Sequence, residues 1–303
     1  MTKAHYHLPG LFEFFDFYRL FLPLYRNHSD WFYPWCDIAS IYGSPDGCIW
    51  AGGRMEYSGI SRGKVLEEVR NFLADFGISS RLTFSNSLLT KEHLADKRCN
   101  SVCEIFSKGR GVRNGVILHS DVLLEYLKSA YPDFYFVSST TKVITDFKDF
   151  EAELNRPDFS YVVPDFRLNK RFENLNSLSQ SQKDKVEFLC NECCWTGCKE
   201  RKSCYESVSR EVLALENAFP HVCKAPGGKQ GYRFSQAMKN PSFIGLSDIQ
   251  KVYLPSGFSN FKIEGRSLGS ALLLEFILYY LTKAEFHIQV REELYLDNTL
   301  DLF

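Results

Sequence analysis

The chain has no apolar run near the roughly 18 residues that a membrane-spanning helix needs; its longest candidate, residues 271–281, is too short. Net charge is almost absent. Lys and Arg number 36 against 37 Asp and Glu, a formal −1, which argues against a broad nucleic-acid-binding surface. Residues 1–10 lack the apolar core of a secretory signal, so the expected compartment is the cytoplasm, where thiols stay reduced. No G-x-G-x-x-G follows the first strand read from the pattern, which weakens a dinucleotide-binding reading. No H-E-x-x-H occurs, and no Ser/His/Asp or Cys/His/Asp arrangement stands out. No low-complexity linker divides the 303 residues, so one domain is expected.

What the chain does have is cysteine. Five of its ten cysteines fall within residues 186–210: Cys190, Cys193, Cys194, Cys198 and Cys204, and Cys223 follows in the same connection. The stretch begins as a strand over 186–190, breaks at Asn191-Glu192, loops around Gly197 and reads as a helix from about Ser203. Thiolates this close repel unless a cation or a disulfide joins them, so a metal or iron–sulfur site is the first functional reading. Cys190-x2-Cys193 has zinc-knuckle spacing, but no second pair lies at the usual distance. Cys194-x3-Cys198 opens a radical-type spacing, yet Arg201 stands where the third cysteine would be. Iron–sulfur, zinc and simply buried thiols stay open at this point.

From residue 47 onward a short apolar strand, a polar or Gly turn and an amphipathic helix recur. Strands are expected at 48–51, 80–84, 115–119, 134–137, 161–163, 186–190, 258–263 and 287–290. Helices are expected at 61–76, 91–106, 122–131 with Asp121 as N-cap, 146–154 and 268–283. Such a series pairs in parallel, and the reading is α/β: a TIM-barrel-like (β/α)8 single domain over 47–303, with a cysteine-rich loop at 190–223. Residues 1–46, with an apolar stripe through Phe12, Phe15, Tyr18, Leu22 and Tyr25, read as an N-terminal helical extension.

Residues 246–266, ending in Lys262-Ile263-Glu264-Gly265-Arg266, resemble the segment of the peptidase U32 family in which a helix leads to a strand closing on K-I-E-G-R. The cysteine loop lies upstream, as in that family, and the resemblance covers about residues 47–283. It implies a TIM-barrel-like fold with a [4Fe–4S] cluster, for which Cys194, Cys198, Cys204 and Cys223 match approximately; Cys190 and Cys193 are reserves. The family includes collagenase-like peptidase relatives and the iron–sulfur proteins of oxygen-independent hydroxylation.

In a barrel, residues just after each strand converge on one rim. Here those include Arg54, Asn86, Thr140, Lys142, Asp165 and Asn169 as candidate substrate contacts, and Asn191, Glu192, Glu264 and Arg266 as candidate catalytic groups. Arg54 and Arg266 suit a carboxylate or phosphate, so the expected ligand is a small or nucleotide-like anion. Glu192 and Glu264 suit general-base work or the orientation of the arginines. An iron–sulfur redox enzyme of the hydroxylation type, a hydrolase, and a non-catalytic iron–sulfur or zinc protein that binds a partner in a complex are the three readings. Lys262, Glu264 and Arg266 are expected to share one face, pointing into the mouth.

Overall fold

The computed structural model describes residues 2–53, 63–215, 218–225, 231–266 and 268–296. Eight parallel strands form one sheet in the order β6-β5-β4-β3-β2-β1-β8-β7. They are β1 Ala4–Pro9, β2 Cys36–Gly43, β3 Ser79–Phe84, β4 Gly115–Leu118, β5 Tyr135–Ser138, β6 Phe159–Val162, β7 Glu187–Leu189 and β8 Asn260–Lys262. A parallel bridge between Val162 and Val186 joins the two ends, with the Val162 N–H donating to the Lys185 carbonyl at 2.8 Å. The sheet thus closes as a (β/α)8 barrel, and the first and last strands are neighbours.

The helices α1 Phe15–Asn27, α2 Gly63–Asp75, α3 Lys97–Ser107, α4 Asp121–Ala130 and α5 Phe147–Leu154 lie between successive strands. Each buries one stripe: Leu66, Val69 and Leu73 in α2, and Leu123, Leu124 and Leu127 in α4. Burial of each such side chain is worth about 1.5–3 kcal/mol. The helix Ser270–Tyr280 after β8 is buried nearly all round, through Leu273, Leu274, Phe276, Ile277, Leu278 and Tyr280. Among the described residues no helix is long and apolar enough to cross a membrane.

Strand alternation sorts side chains into two populations. Tyr6, Leu8, Phe188 and Phe261 face the surrounding helices in the main core. Tyr42, Ile117, Val137, Val163 and Leu189 form a separate small cluster inside the barrel. One step from these, two residues back along β7, lies Glu187, wholly buried.

The N-terminal expectation is corrected here. Residues 1–46 are no separate extension: they supply β1, α1 and β2, which pair with each other and with β8. Their strands were obscured because β1, AHYHLP, turns histidine rather than an apolar residue into the barrel. Residues 48–51, expected as the first strand, form turns, and residues 287–290 belong to the helix His287–Arg291. Ser120 rather than Asp121 caps α4, its hydroxyl accepting the Leu123 N–H at 3.3 Å. The rest of the strand pattern matches to within about two residues at each end. The longest excursion, from β7 to β8, carries all the clustered cysteines and the helix Arg201–Val212 at the C-terminal mouth.

Candidate functional site at the C-terminal mouth

The K-I-E-G-R segment builds one wall. Phe261 and Ile263 pack outward into the main core, so Lys262 and Glu264 take the opposite face. Gly265 sits at φ +152°, and a Cβ there would stand 3.0 Å from the Phe276 ring. Only glycine lets the chain turn there and return Arg266 to the mouth. The Arg266 guanidinium holds Glu13, from the segment after β1, with Nε to Oε1 at 3.1 Å, and both side chains are largely buried.

Asn191 ties the ends of β7 and β8 together. Its Oδ1 accepts the Glu264 N–H at 2.7 Å and its Nδ2 donates to the Glu264 carbonyl at 3.1 Å. Tyr232 hydroxyl donates to the Asn191 carbonyl at 3.2 Å. Glu192 then turns back: one oxygen accepts the Cys194 N–H at 2.9 Å and the other meets Arg201 Nη2 at 2.5 Å. Arg201 opens the helix Arg201–Val212, is 3 % exposed, and lies 3.4 Å from the fully buried Asp165. Asp165 also takes Arg167, at 2.6 Å and 3.0 Å to its two oxygens, while Arg167 donates to the Cys198 carbonyl at 2.9 Å. Two carboxylates and two arginines therefore pin the cysteine loop to the ends of β6 and β7.

Below the mouth, the barrel interior holds a charged group. Glu187 meets Arg81 Nη1 at 2.5 Å, Lys262 Nζ at 3.2 Å and His7 Nε2 at 3.5 Å. Arg81 Nε donates to Tyr135 hydroxyl at 2.7 Å, His7 Nδ1 pairs with Ser40 Oγ at 2.8 Å, and Lys262 Nζ lies 3.5 Å from the centroid of the Tyr42 ring. One carboxylate serves three bases. Burial would raise Glu187, but the cations hold its carboxyl far below the usual range. Burial lowers His7, with Arg81 adding to it. Burial, with Arg81 reinforcing it against Glu187, brings Lys262 down to about 8.

A cavity of about 870 Å³ opens above this group. Lys262, Tyr42 and Thr83 line it from the barrel, Glu264 and Arg266 from one rim, and Glu192, Cys193, Cys194 and Trp195 from the cysteine loop, with Cys223, Tyr232 and Lys239 beyond.

The chain shares its fold with a U32 peptidase. The solved structure of the U32 peptidase Mk0906 aligns over 88 % of this chain and 94 % of that one, with a TM-score of 0.51 and 14 % identity. At that identity the likeness is one of fold. No protein-family model matches the sequence, and no curated protein matches it.

Within this U32-like barrel the expected residues separate. Glu192, Glu264, Arg266 and Thr140 line the cavity; Asn191 supports its rim. The others expected to touch substrate serve packing. Asn86, buried, donates to the Ile49 and Ser209 carbonyls, and Asn169, also buried, to the Leu189 and Ser242 carbonyls. Lys142 is held by Glu153 at 2.6 Å, and Asp165 anchors the two arginines. Arg54 lies outside the described residues. Of the cysteines, Cys194 and Cys223 reach the cavity, and the reserve Cys193 joins them. Cys198 and Cys204 are half-buried off its lining, and Cys190 is a core thiol raised by burial. Among the described residues, ligand atoms of three or more candidate donors come within 4.8 Å at Glu192, Cys193 and Glu264, where Glu192 is already held by Arg201. Tyr42, Lys262 and Tyr232 were not picked out as site residues. The only sequence signal for Lys262 was its alternation with Glu264.

Proposed function

We propose that this chain is an iron–sulfur redox enzyme acting on a small or nucleotide-like organic anion at the C-terminal mouth of its barrel. One observation carries the reading: a single cavity is lined by Cys193, Cys194 and Cys223 on one side and by Lys262 and Arg266 on the other. Cys194, Cys198, Cys204 and Cys223 are the thiolates assigned to a [4Fe–4S] cluster. Their donor chemistry suits it, since each cluster iron takes its own thiolate and the four sulfurs need not meet at one atom. A zinc ion asks for more: at about 2.3 Å per Zn–S bond its thiolates crowd to about 4 Å, and no three cysteines among the described residues do so. When bound, the cluster supplies or accepts single electrons. The chain's own residues attract the anion, hold it against the β8 wall and limit water below it. Peptide hydrolysis is the weaker reading, because Cys193 faces Glu192 at 3.7 Å, a carboxylate already held by Arg201.

The test is electron paramagnetic resonance of anaerobic, dithionite-reduced protein, with and without mono- and dicarboxylates and nucleotides. A cluster signal that shifts when an anion is added is expected. Absence of any signal overturns the redox reading. A signal that no anion moves removes the substrate half and leaves a cluster protein that serves a partner.

A further inference from the structure

Lys262 has a placement that anion binding does not require. It lies on β8 inside the barrel, 6 % exposed, yet its side chain lines the floor of the cavity. Its ammonium is the second cation on Glu187, at 3.2 Å, after Arg81, 1 % exposed and closer to the carboxylate at 2.5 Å. A second full cation would leave the buried group with excess positive charge, which a low-dielectric interior disfavours. The groups that face Lys262 are Glu187 on β7, Arg81 on β3, His7 on β1, Tyr42 on β2, and Glu264 and Arg266 beyond its own strand. The carboxylates and the face of the Tyr42 ring favour its charge, and the nearest carboxylate is shared with Arg81.

We propose that Lys262 is a covalent amine: it forms an imine with a carbonyl-bearing anion, a 2-oxo acid or aldehyde acid, held in the cavity. The inference rests on the reading of this cavity as the ligand site, and not on the cluster. The Tyr42 ring, from two residues nearer the mouth in the register, and Glu187 beside it fix the Nζ in place. In the reaction the Nζ lone pair forms the C–N bond, the carbonyl C–O bond breaks, and the oxygen leaves as water with the two amine protons. Glu264 stands two residues along the same strand face, about 7 Å away by strand geometry, and is the carboxylate placed to carry those protons. Arg266, on the same wall, is the cation for the ligand's carboxylate. The lowered proton affinity of Lys262, to about 8, agrees with an amine that is neutral in a useful fraction near pH 8.

The experiment uses the full chain, glyoxylate as probe and sodium borohydride as the reductant that traps the imine as carboxymethyl-lysine, read by peptide mass spectrometry. Lys239 lines the same cavity but is exposed, and is the internal comparison. Incorporation at Lys262 should exceed that at Lys239 by about tenfold at pH 7.5 and rise with a midpoint near pH 8, against about 10.4 for an ordinary lysine. Lys262→Arg should lose the adduct, and Glu264→Gln should slow it while leaving the labelled position unchanged. Modification of Lys239 with Lys262 untouched in the unaltered protein overturns the proposal, and needs no variant to fold. Acetate binding, followed separately by line broadening, tells the two readings apart. Acetate bound without an adduct refutes the imine alone, and neither acetate bound nor adduct refutes the ligand site as well.

Discussion

Replacing Glu187 by glutamine should unsettle the whole barrel. The carboxylate is fully buried and is the shared partner of Arg81, Lys262 and His7. Glutamine keeps the size but not the charge, so the Arg81 guanidinium, 1 % exposed, is left without its nearest counter-charge. Breaking a buried pair from one side costs about 3–5 kcal/mol. At about 2–4 °C for each kcal/mol in a large domain, Tm should fall by about 10 °C, read by circular dichroism at pH 7. The pH dependence gives a second check. The folded pKa of Glu187 lies below its unfolded value, so its contribution is present above the ordinary glutamate range and is lost as pH falls toward the folded value. Lys262, at about 8 folded against about 10.4 unfolded, binds fewer protons when folded between those values, so stability should rise with pH across that window. Glu187→Gln should erase the first limb and extend the second to lower pH. Arg81→Met combined with Glu187→Leu should cost less than Glu187→Gln alone, since the guanidinium is gone and only Lys262, which can shed its proton, is left without the carboxylate. A fall in Tm under about 2 °C for Glu187→Gln, with an unchanged acid limb, would refute this picture of the interior.

Asp165→Asn should loosen the cysteine loop by weakening both Arg167 and Arg201, at a cost of about 3–5 kcal/mol. Limited proteolysis should then cut within residues 190–210 faster than elsewhere. Arg266→Ala should weaken binding of a small carboxylate by about tenfold, the worth of one charge-assisted contact, while leaving the metal content unchanged; calorimetry and iron assay read the two separately. Gly265→Ala should destabilise by about 1–3 kcal/mol, since its φ of +152° and the Phe276 ring at 3.0 Å both oppose a Cβ; denaturant unfolding measures it.

The barrel was legible where its strands are apolar on both faces. GVIL at β4 reads as a strand because helices cover Val116 and Leu118 on one side and the small interior cluster takes Ile117 on the other. The first two strands were not, because β1 turns His5 and His7 inward and β2 begins at Cys36-Asp37, so neither shows an apolar run. The site divides along similar lines. The alternation of Lys262, Glu264 and Arg266 placed the β8 wall correctly, because period two survives into the rim. Position after a strand did not separate ligand-facing groups from anchors. Asn86, Asp165 and Asn169 all follow strands, yet their partners are backbone carbonyls and arginines contributed from 20 or more residues away or from the neighbouring turn. Pairing of that kind is set by the tertiary fold and leaves no local pattern. The interior group around Glu187 was hidden for the same reason: its members come from β1, β3, β7 and β8, and each strand contributes only one of them.

The most direct measurement is the iron, acid-labile sulfide and zinc content of anaerobically prepared protein, taken with its absorbance near about 400 nm, across a cysteine-to-serine series. About four irons per chain are expected. They should be lost in Cys194→Ser, Cys198→Ser, Cys204→Ser and Cys223→Ser, and kept in Cys99→Ser and Cys103→Ser, whose thiols are buried in the helix α3. Cys193→Ser should also keep them, although that thiol faces the cavity. Stoichiometric zinc without iron, or a chain that takes up neither metal, would contradict the iron–sulfur reading.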